Sequence, residues 1–143
     1  MTEPAESAAS IRRAATRLAL RLRAERGPGS LPLLMLSVLG NLHRRGPLTA
    51  GELAAADRLK PQSLTRTLAG LEQQRLITRR PGEVDRRQSQ IDITAEGRRR
   101  LGRDMQHRDA WLRAALTDAL SPTEQELLRL AAPLMERLAE FDQ

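Results

Sequence analysis

The chain has 143 residues, of which 40% are hydrophobic and 29% charged, and this balance favours one folded domain over a disordered chain. It has no cysteine, which excludes disulfides, thiolate catalysis and a switch based on thiol oxidation. The net charge is +6, yet residues 58–108 alone carry +7, from thirteen basic and six acidic side chains. So localised a charge predicts a polyanionic partner, with nucleic acid the first candidate and an anionic membrane surface the second.

Helical periodicity begins in residues 10–25, where Ile11, Leu18 and Leu22 share one face and arginines occupy the other. The following segment, residues 30–45, is apolar nearly all round, which predicts a buried helix. Ser30 is the expected N-cap of this helix, with Pro32 in its first turn.

Two short helices joined by a tight turn are predicted next. Thr49 and Glu52 form a capping box that opens the first of them, which extends to about residue 56. Pro61 suits the first position of the second helix, because its missing N–H has no partner there in any case. The buried face of this second helix is defined by residues at i, i+4 and i+7, namely Leu64, Leu68 and Leu71.

A small antiparallel hairpin is expected after the second helix, with a Pro81-Gly82 turn between its arms. Thr94 is the expected cap of a long helix that follows the hairpin. The last helix should begin at a capping box formed by Ser121 and Glu124, and Pro133 inside it should bend it.

Seven arginines and four carboxylates crowd into residues 79–100, where like charges repel and a partner of opposite charge would balance them. A helix–turn–helix followed by a basic hairpin is the layout of a winged DNA-binding domain. The outward positions near the amino-terminal end of the second helix would face the major groove, where arginine suits guanine and glutamine suits adenine. The residues predicted to contact DNA from this helix are Lys60, Gln62, Ser63, Thr65, Arg66 and Thr67.

The hairpin supplies the remaining candidate contacts. Arg86 and Arg87 lie at its predicted tip, where a guanidinium can enter a narrow and strongly negative minor groove. Arg79 is a candidate phosphate contact, and Asp85 is expected to steady the arginines rather than to act as a catalytic acid.

From residue 48 to residue 101 the chain resembles the winged helix of the multiple-antibiotic-resistance regulator (MarR) family. The resemblance rests on "GPLTAGELA", on "LKPQSLTRTLAGLEQQRLITRR" and on the wing "DRRQSQIDITAEGRRRL". The family's Asp-x-Arg and Thr-x-x-Gly steps fall on Asp85, Arg87, Thr94 and Gly97, which gives Arg87 the minor-groove role. The recognition helix opens Lys-Pro-Gln instead of the family's usual Ser-Pro-Ser, and this departure bears on which operator sequence is read.

The resemblance implies a mainly α fold with a small β-hairpin wing, that is, a winged helix–turn–helix with terminal dimerisation helices. Residues 1–47 would hold a dimerisation helix and a buried helix, residues 48–100 the DNA-binding region, and residues 101–143 further dimerisation helices. A two-fold homodimer would present its recognition helices roughly 34 Å apart and read a palindromic operator, as a repressor. A small aromatic effector would enter a cleft beside the dimerisation helices, with candidate contacts Met35, Leu39, His43 and Trp111.

Other functions fit the residues less well. No catalytic motif such as H-E-x-x-H or G-x-S-x-G is present, so we expect no enzyme, and neither a cofactor nor a metal is implied. A DNA-binding protein that is architectural and indifferent to sequence remains the alternative. The amino-terminal residues lack the features of a signal peptide, and no apolar run reaches the roughly 18 residues of a membrane span, so we expect a cytoplasmic protein without membrane contact.

Overall fold

The computed structural model describes residues 3–142 of the chain. Within them the chain forms six α-helices, one 3-10 turn and a two-stranded hairpin. In chain order these are α1 Pro4–Ala24, α2 Leu33–Arg45, α3 Ala50–Ala56, the 3-10 turn Pro61–Leu64, α4 Thr65–Gln73, β1 Ile77–Pro81, β2 Ser89–Ile93, α5 Ala95–Ala119 and α6 Pro122–Ala139. The predicted fold class, mainly α with a small hairpin, is confirmed.

Two units divide the described residues. The first comprises residues 3–25 and 107–142, which hold α1, the second half of α5 and α6. The second, Arg26–Gln106, holds every other element and the whole buried core. That core is aliphatic and joins the helix–turn–helix to the hairpin through Val38, Leu39, Leu42, Leu53, Leu64, Leu68, Leu71, Ile77, Ile91 and Ile93.

The hairpin pairs β1 with β2 in antiparallel register, so that Ile77 faces Ile93 and Arg79 faces Ile91. A third segment extends it at Leu48, whose N–H and carbonyl both bond to Ile91, at 3.0 and 2.8 Å. Because Leu48 lies two residues before α3, this bridge fixes the hairpin against the start of the helix–turn–helix.

Two predicted helix starts are confirmed by hydrogen bonds. The side chain of Thr49 accepts from the N–H of Glu52 at 3.1 Å and opens α3. Ser121 and Glu124 form a complete capping box at α6. Donation from the backbone and hydroxyl of Ser121 also holds the pKa of the Glu124 carboxyl below its ordinary value.

The predicted starts of α1 and α2 are wrong. Helix α1 begins at Pro4, well before the predicted residue 10. The sequence did not indicate this start because the first turns carry few apolar residues and so show no periodicity. Ser30 does not cap α2: the helix begins at Leu33, and its N-cap position is Pro32, which has no side-chain capping bond.

Helix α6 runs through Pro133 without a break.

Candidate nucleic-acid interface

The second helix of the helix–turn–helix opens with a tight turn. Pro61 begins a 3-10 turn, and α-helical geometry starts only at Thr65, four residues later than predicted. Lys60 precedes the turn in an extended conformation, and its carbonyl accepts from the N–H of Ser63 at 2.9 Å. The turn therefore presents Gln62 and Ser63 from a short coil that is tighter than an α-helix.

Burial separates the two faces of this segment as the leucine spacing predicted. Leu64, Leu68 and Leu71 are at most 2% exposed and form part of the core. The opposite face is exposed at Lys60, Gln62, Ser63, Thr65 and Arg66, and half-buried at Thr67. Within residues 3–142 the guanidinium of Arg66 has no protein partner, so its donors remain available to an external acceptor.

The Thr-x-x-Gly step holds the end of α4 against the start of α5. The Thr94 hydroxyl donates to the carbonyl of Arg75 at 2.7 Å and accepts from the N–H of Gly97 at 2.9 Å. The N–H of Thr94 also donates to the carbonyl of Leu76 at 3.0 Å. Arg75 itself adopts a left-handed conformation with φ 60°, which turns the chain from α4 into β1.

Gly97 allows a close approach in this junction. A Cβ atom at this position would overlap the carbonyl oxygen of Leu76 and lie 2.7 Å from Cγ1 of Ile93. Glycine is required because the backbone of one element lies directly against the first turn of another. The family motif residues Thr94 and Gly97 are therefore structural and set the position of the wing relative to α4.

The tip of the wing, residues 82–88, is an ordered turn. Asp85 accepts from the backbone N–H of Arg87 at 2.9 Å through Oδ1, and its carbonyl accepts from Gln88 at 3.1 Å. The partner of the Asp85 carboxylate is thus the backbone of Arg87 rather than a guanidinium. The guanidinium groups of Arg86 and Arg87 are exposed and have no protein partner in the described part of the chain.

Part of the arginine cluster is neutralised within the protein. The Glu96 carboxylate forms ion pairs with the guanidinium groups of Arg99, at 2.7 Å, and Arg103, at 3.3 Å. These contacts, with Arg99 the larger, lower the pKa of the Glu96 carboxyl. Arg79 pairs with Glu72, and Arg80 lies 4.0 Å from the Asp92 carboxylate. Arg100 contacts Asp104 and donates to the carbonyl of Gly29. The guanidinium groups of the cluster that have no protein partner in the described residues are therefore those of Arg86 and Arg87 at the wing tip and of Arg98 on α5.

The four candidate effector contacts differ in environment. Leu39 is fully buried in the core, and Met35 is partly buried against it, with its Cε near Gly70. His43 is exposed at the end of α2. Trp111 is half-buried in the first unit, with the guanidinium carbon of Arg21 4.9 Å from its ring centroid.

Residues 3–142 hold neither a membrane-spanning helix nor a cluster of metal-ligating side chains. None of the helices is long and apolar enough to cross a bilayer. No group of three or more histidine, aspartate or glutamate side chains is arranged to hold a metal ion.

Sequence comparison places the chain among bacterial regulators. A model of the MarR family matches residues 31–88. An HTH-type transcriptional regulator of Mycobacterium bovis is 32% identical over 136 residues, covering 95% of this chain and 94% of that protein. A Mycobacterium leprae protein of the same description is also 32% identical, with the same coverage.

Structural comparison agrees. A proposed transcriptional regulator of Pseudomonas aeruginosa superposes with a TM-score of 0.77 at 35% identity, over 96% of both chains. A MarR family protein of Bacillus stearothermophilus has the same fold, with a TM-score of 0.78 over 95% of both chains at 23% identity. The chain is thus 32% identical to HTH-type regulators over nearly its whole length, and its fold is a winged helix–turn–helix with a basic hairpin. This protein belongs to the MarR family of DNA-binding transcriptional regulators.

Proposed function

We propose that the protein is a homodimeric repressor that reads a palindromic operator, with α4 and its preceding turn in the major groove and the wing in the adjacent minor groove. The observation that carries this docking is the distribution of unpaired guanidinium groups. Among residues 3–142, Arg66 on the helix and Arg87 on the wing are exposed and have no side-chain partner, whereas several neighbouring arginines are paired with carboxylates. Unpaired donors on both groove-reading elements suit base edges and a negative groove.

Sequence-specific reading is favoured over an architectural role by the side chains at the exposed start of the second helix. Gln62 and Arg66 can each make two hydrogen bonds to one base, which a protein indifferent to sequence does not need. The test is competition binding with a duplex that the protein selects from a random pool. We expect that duplex to be preferred over random DNA by roughly a thousandfold or more, and a ratio near one would favour the architectural alternative.

Replacement of Arg66 with alanine tests the base contact directly. We expect a loss of about 1–3 kcal/mol at one base position of each half-site, together with relaxed preference at that position. The measurement is the affinity of wild type and variant for a set of operators substituted one base at a time. A variant that loses affinity equally for every duplex would place Arg66 on a phosphate instead.

Dimerisation is supported by apolar surface on the terminal helices. Ten large apolar side chains of α1, α6 and the residues after it are between 42% and 66% exposed, namely Ile11, Leu18, Leu20, Leu127, Leu128, Leu130, Leu134, Met135, Leu138 and Phe141. Monomeric proteins rarely expose this many large apolar side chains on their terminal helices, and a second copy would cover them.

The dimer is tested by light scattering at micromolar concentration. We expect twice the mass of the 15.9 kDa chain, and a shift towards the monomer in Leu134→Glu, which puts a charge on the apolar face of α6. Leu33→Glu is the matched control, since Leu33 is an exposed leucine of α2. A stable, folded wild-type monomer would contradict the proposal.

The family resemblance alone supports a small aromatic effector that lowers DNA affinity, with Met35, Leu39, His43 and Trp111 as candidate contacts. A screen for small molecules that release the selected duplex tests this part.

A further inference from the structure

Glu72 and Arg79 form an ion pair between α4 and the first strand of the wing. The Nε atom of Arg79 donates to Oε2 of Glu72 at 2.6 Å. No other partner of Arg79 occurs in the described part of the chain, so its two terminal nitrogens, with four N–H groups, stay free. Half of the Glu72 side chain and a third of the Arg79 side chain are exposed.

The pair spans the turn between the two elements that would read DNA. Glu72 lies in the last turn of α4, and Arg79 is the third residue of β1. Arg79 faces Ile91 across the hairpin, so its side chain leaves the strand on the face that carries the core residues Ile77 and Ile93. From there it reaches α4 rather than bulk solvent.

An exposed ion pair of this kind contributes little to stability, because water screens the attraction and two long side chains lose freedom. Its geometry nevertheless has a specific result. With Nε occupied, the guanidinium is held in one orientation, and the terminal nitrogens form a fork that matches two oxygens of a phosphate.

The docking proposed above places a phosphate where this fork can be used. If α4 occupies a major groove and the wing the next minor groove, one DNA strand must run between them. The protein surface between these elements is the junction of α4 and β1, which carries the Glu72–Arg79 pair. A cation at that junction meets the backbone of the intervening strand and not a base edge.

We propose that Glu72 is a positioning residue for DNA binding, whose carboxylate holds Arg79 by Nε so that its terminal nitrogens bind a phosphate of the strand between the two grooves. This inference rests on the proposed docking of α4 and the wing. Glu72 lowers the entropy that Arg79 must lose on binding, and this gain outweighs the repulsion between its own charge and the phosphate.

The experiment measures the affinity of the full-length protein for the selected duplex over a series of salt concentrations, for wild type, Glu72→Ala, Arg79→Ala and the double variant. We expect Glu72→Ala to bind about 3- to 10-fold more weakly, the cost of ordering one long side chain. Arg79→Ala should bind more weakly and lower the salt slope by about one, for one lost phosphate contact. The double variant should bind no more weakly than Arg79→Ala alone.

Asp118→Ala is the matched control, since Asp118 is an exposed carboxylate of α5 outside residues 48–100 that has no protein partner in the described residues. It should bind as tightly as wild type or more tightly, because only repulsion is removed. Melting temperatures of all variants should stay within a few degrees of wild type, which separates positioning from a role in folding.

Two results would overturn the inference. One is a Glu72→Ala variant that binds as tightly as wild type, as the control does. The other is an additive loss in the double variant, which would mean that Glu72 acts without Arg79. If Arg79→Ala alone keeps the wild-type slope while Arg87→Ala weakens binding, this inference fails and the proposed function stands. If both variants bind like wild type, the docking itself is wrong.

Discussion

Gly97→Ala is expected to lower the free energy of unfolding by about 1–3 kcal/mol, since a methyl group would be forced into a filled space. The obstacle is the carbonyl oxygen of Leu76, a backbone atom that cannot rotate away, together with the Cγ1 atom of Ile93. Relief would require α5 to move from the hairpin, which would strain the Thr94 hydrogen bonds as well. The measurement is denaturant unfolding monitored by circular dichroism.

Gly102→Ala provides the matched comparison, because it makes the same substitution in the same helix where a Cβ meets no atom within 4 Å. There the higher helix propensity of alanine should raise stability by roughly 0.5–1 kcal/mol. The two variants should therefore change stability in opposite directions. Equal stabilisation by both would mean that the first turn of α5 does not lie against the Leu76 carbonyl.

Arg87→Ala is expected to weaken binding of the selected duplex about tenfold for each half-site, the usual cost of losing a hydrogen bond to a charged group. Thermal stability should change little, because within residues 3–142 the guanidinium has no protein partner and only its backbone N–H bonds to Asp85. Affinities measured over a salt series, together with melting curves, test both parts of the expectation.

Arg137→Ala controls for the loss of one positive charge, since Arg137 lies on α6, outside residues 48–100. Its effect on affinity should be small, because Arg137 belongs to neither of the two elements that would read DNA. Should Arg87→Ala bind as tightly as wild type at every salt concentration, the assignment of the wing to the minor groove would be wrong.

Local signals in the sequence were sufficient for most of the fold. Thr49, Ser121 and Thr94 each cap the helix they were expected to cap, because a capping bond joins residues only three apart. The leucine spacing of α4 gave the correct buried face, since the repeat of a helix determines which residues face the core.

Predictions failed where the local signal was weak or was overridden. The first turns of α1 have little apolar periodicity, although Pro4 at the start and Glu6 in the first turn are themselves signs of a helix start. At α2 both Ser30 and Pro32 suggest a start, and the structure uses the proline position. The 3-10 geometry after Pro61 was not predicted, because 3-10 and α turns favour similar residues.

The contacts that organise the candidate interface were beyond the sequence because they join separate elements. Nothing in the spacing of Glu72 and Arg79 indicates that they meet, since a turn of uncertain geometry lies between them. The approach of Gly97 to Leu76 is equally non-local. The exposure of Arg66 and Arg87, in contrast, follows from the predicted elements, and their DNA contacts stay predictions.

The single tryptophan of the chain has a practical consequence for experiments on this protein. Trp111 lies beneath the Arg21 guanidinium, so its indole senses a cation held between α1 and α5. Since the winged unit contains no tryptophan and the chain no tyrosine, ultraviolet emission excited at the indole band is an intrinsic optical reporter of the helical unit alone. Rearrangement of those helices can thus be followed in an unlabelled sample, separately from events at the wing.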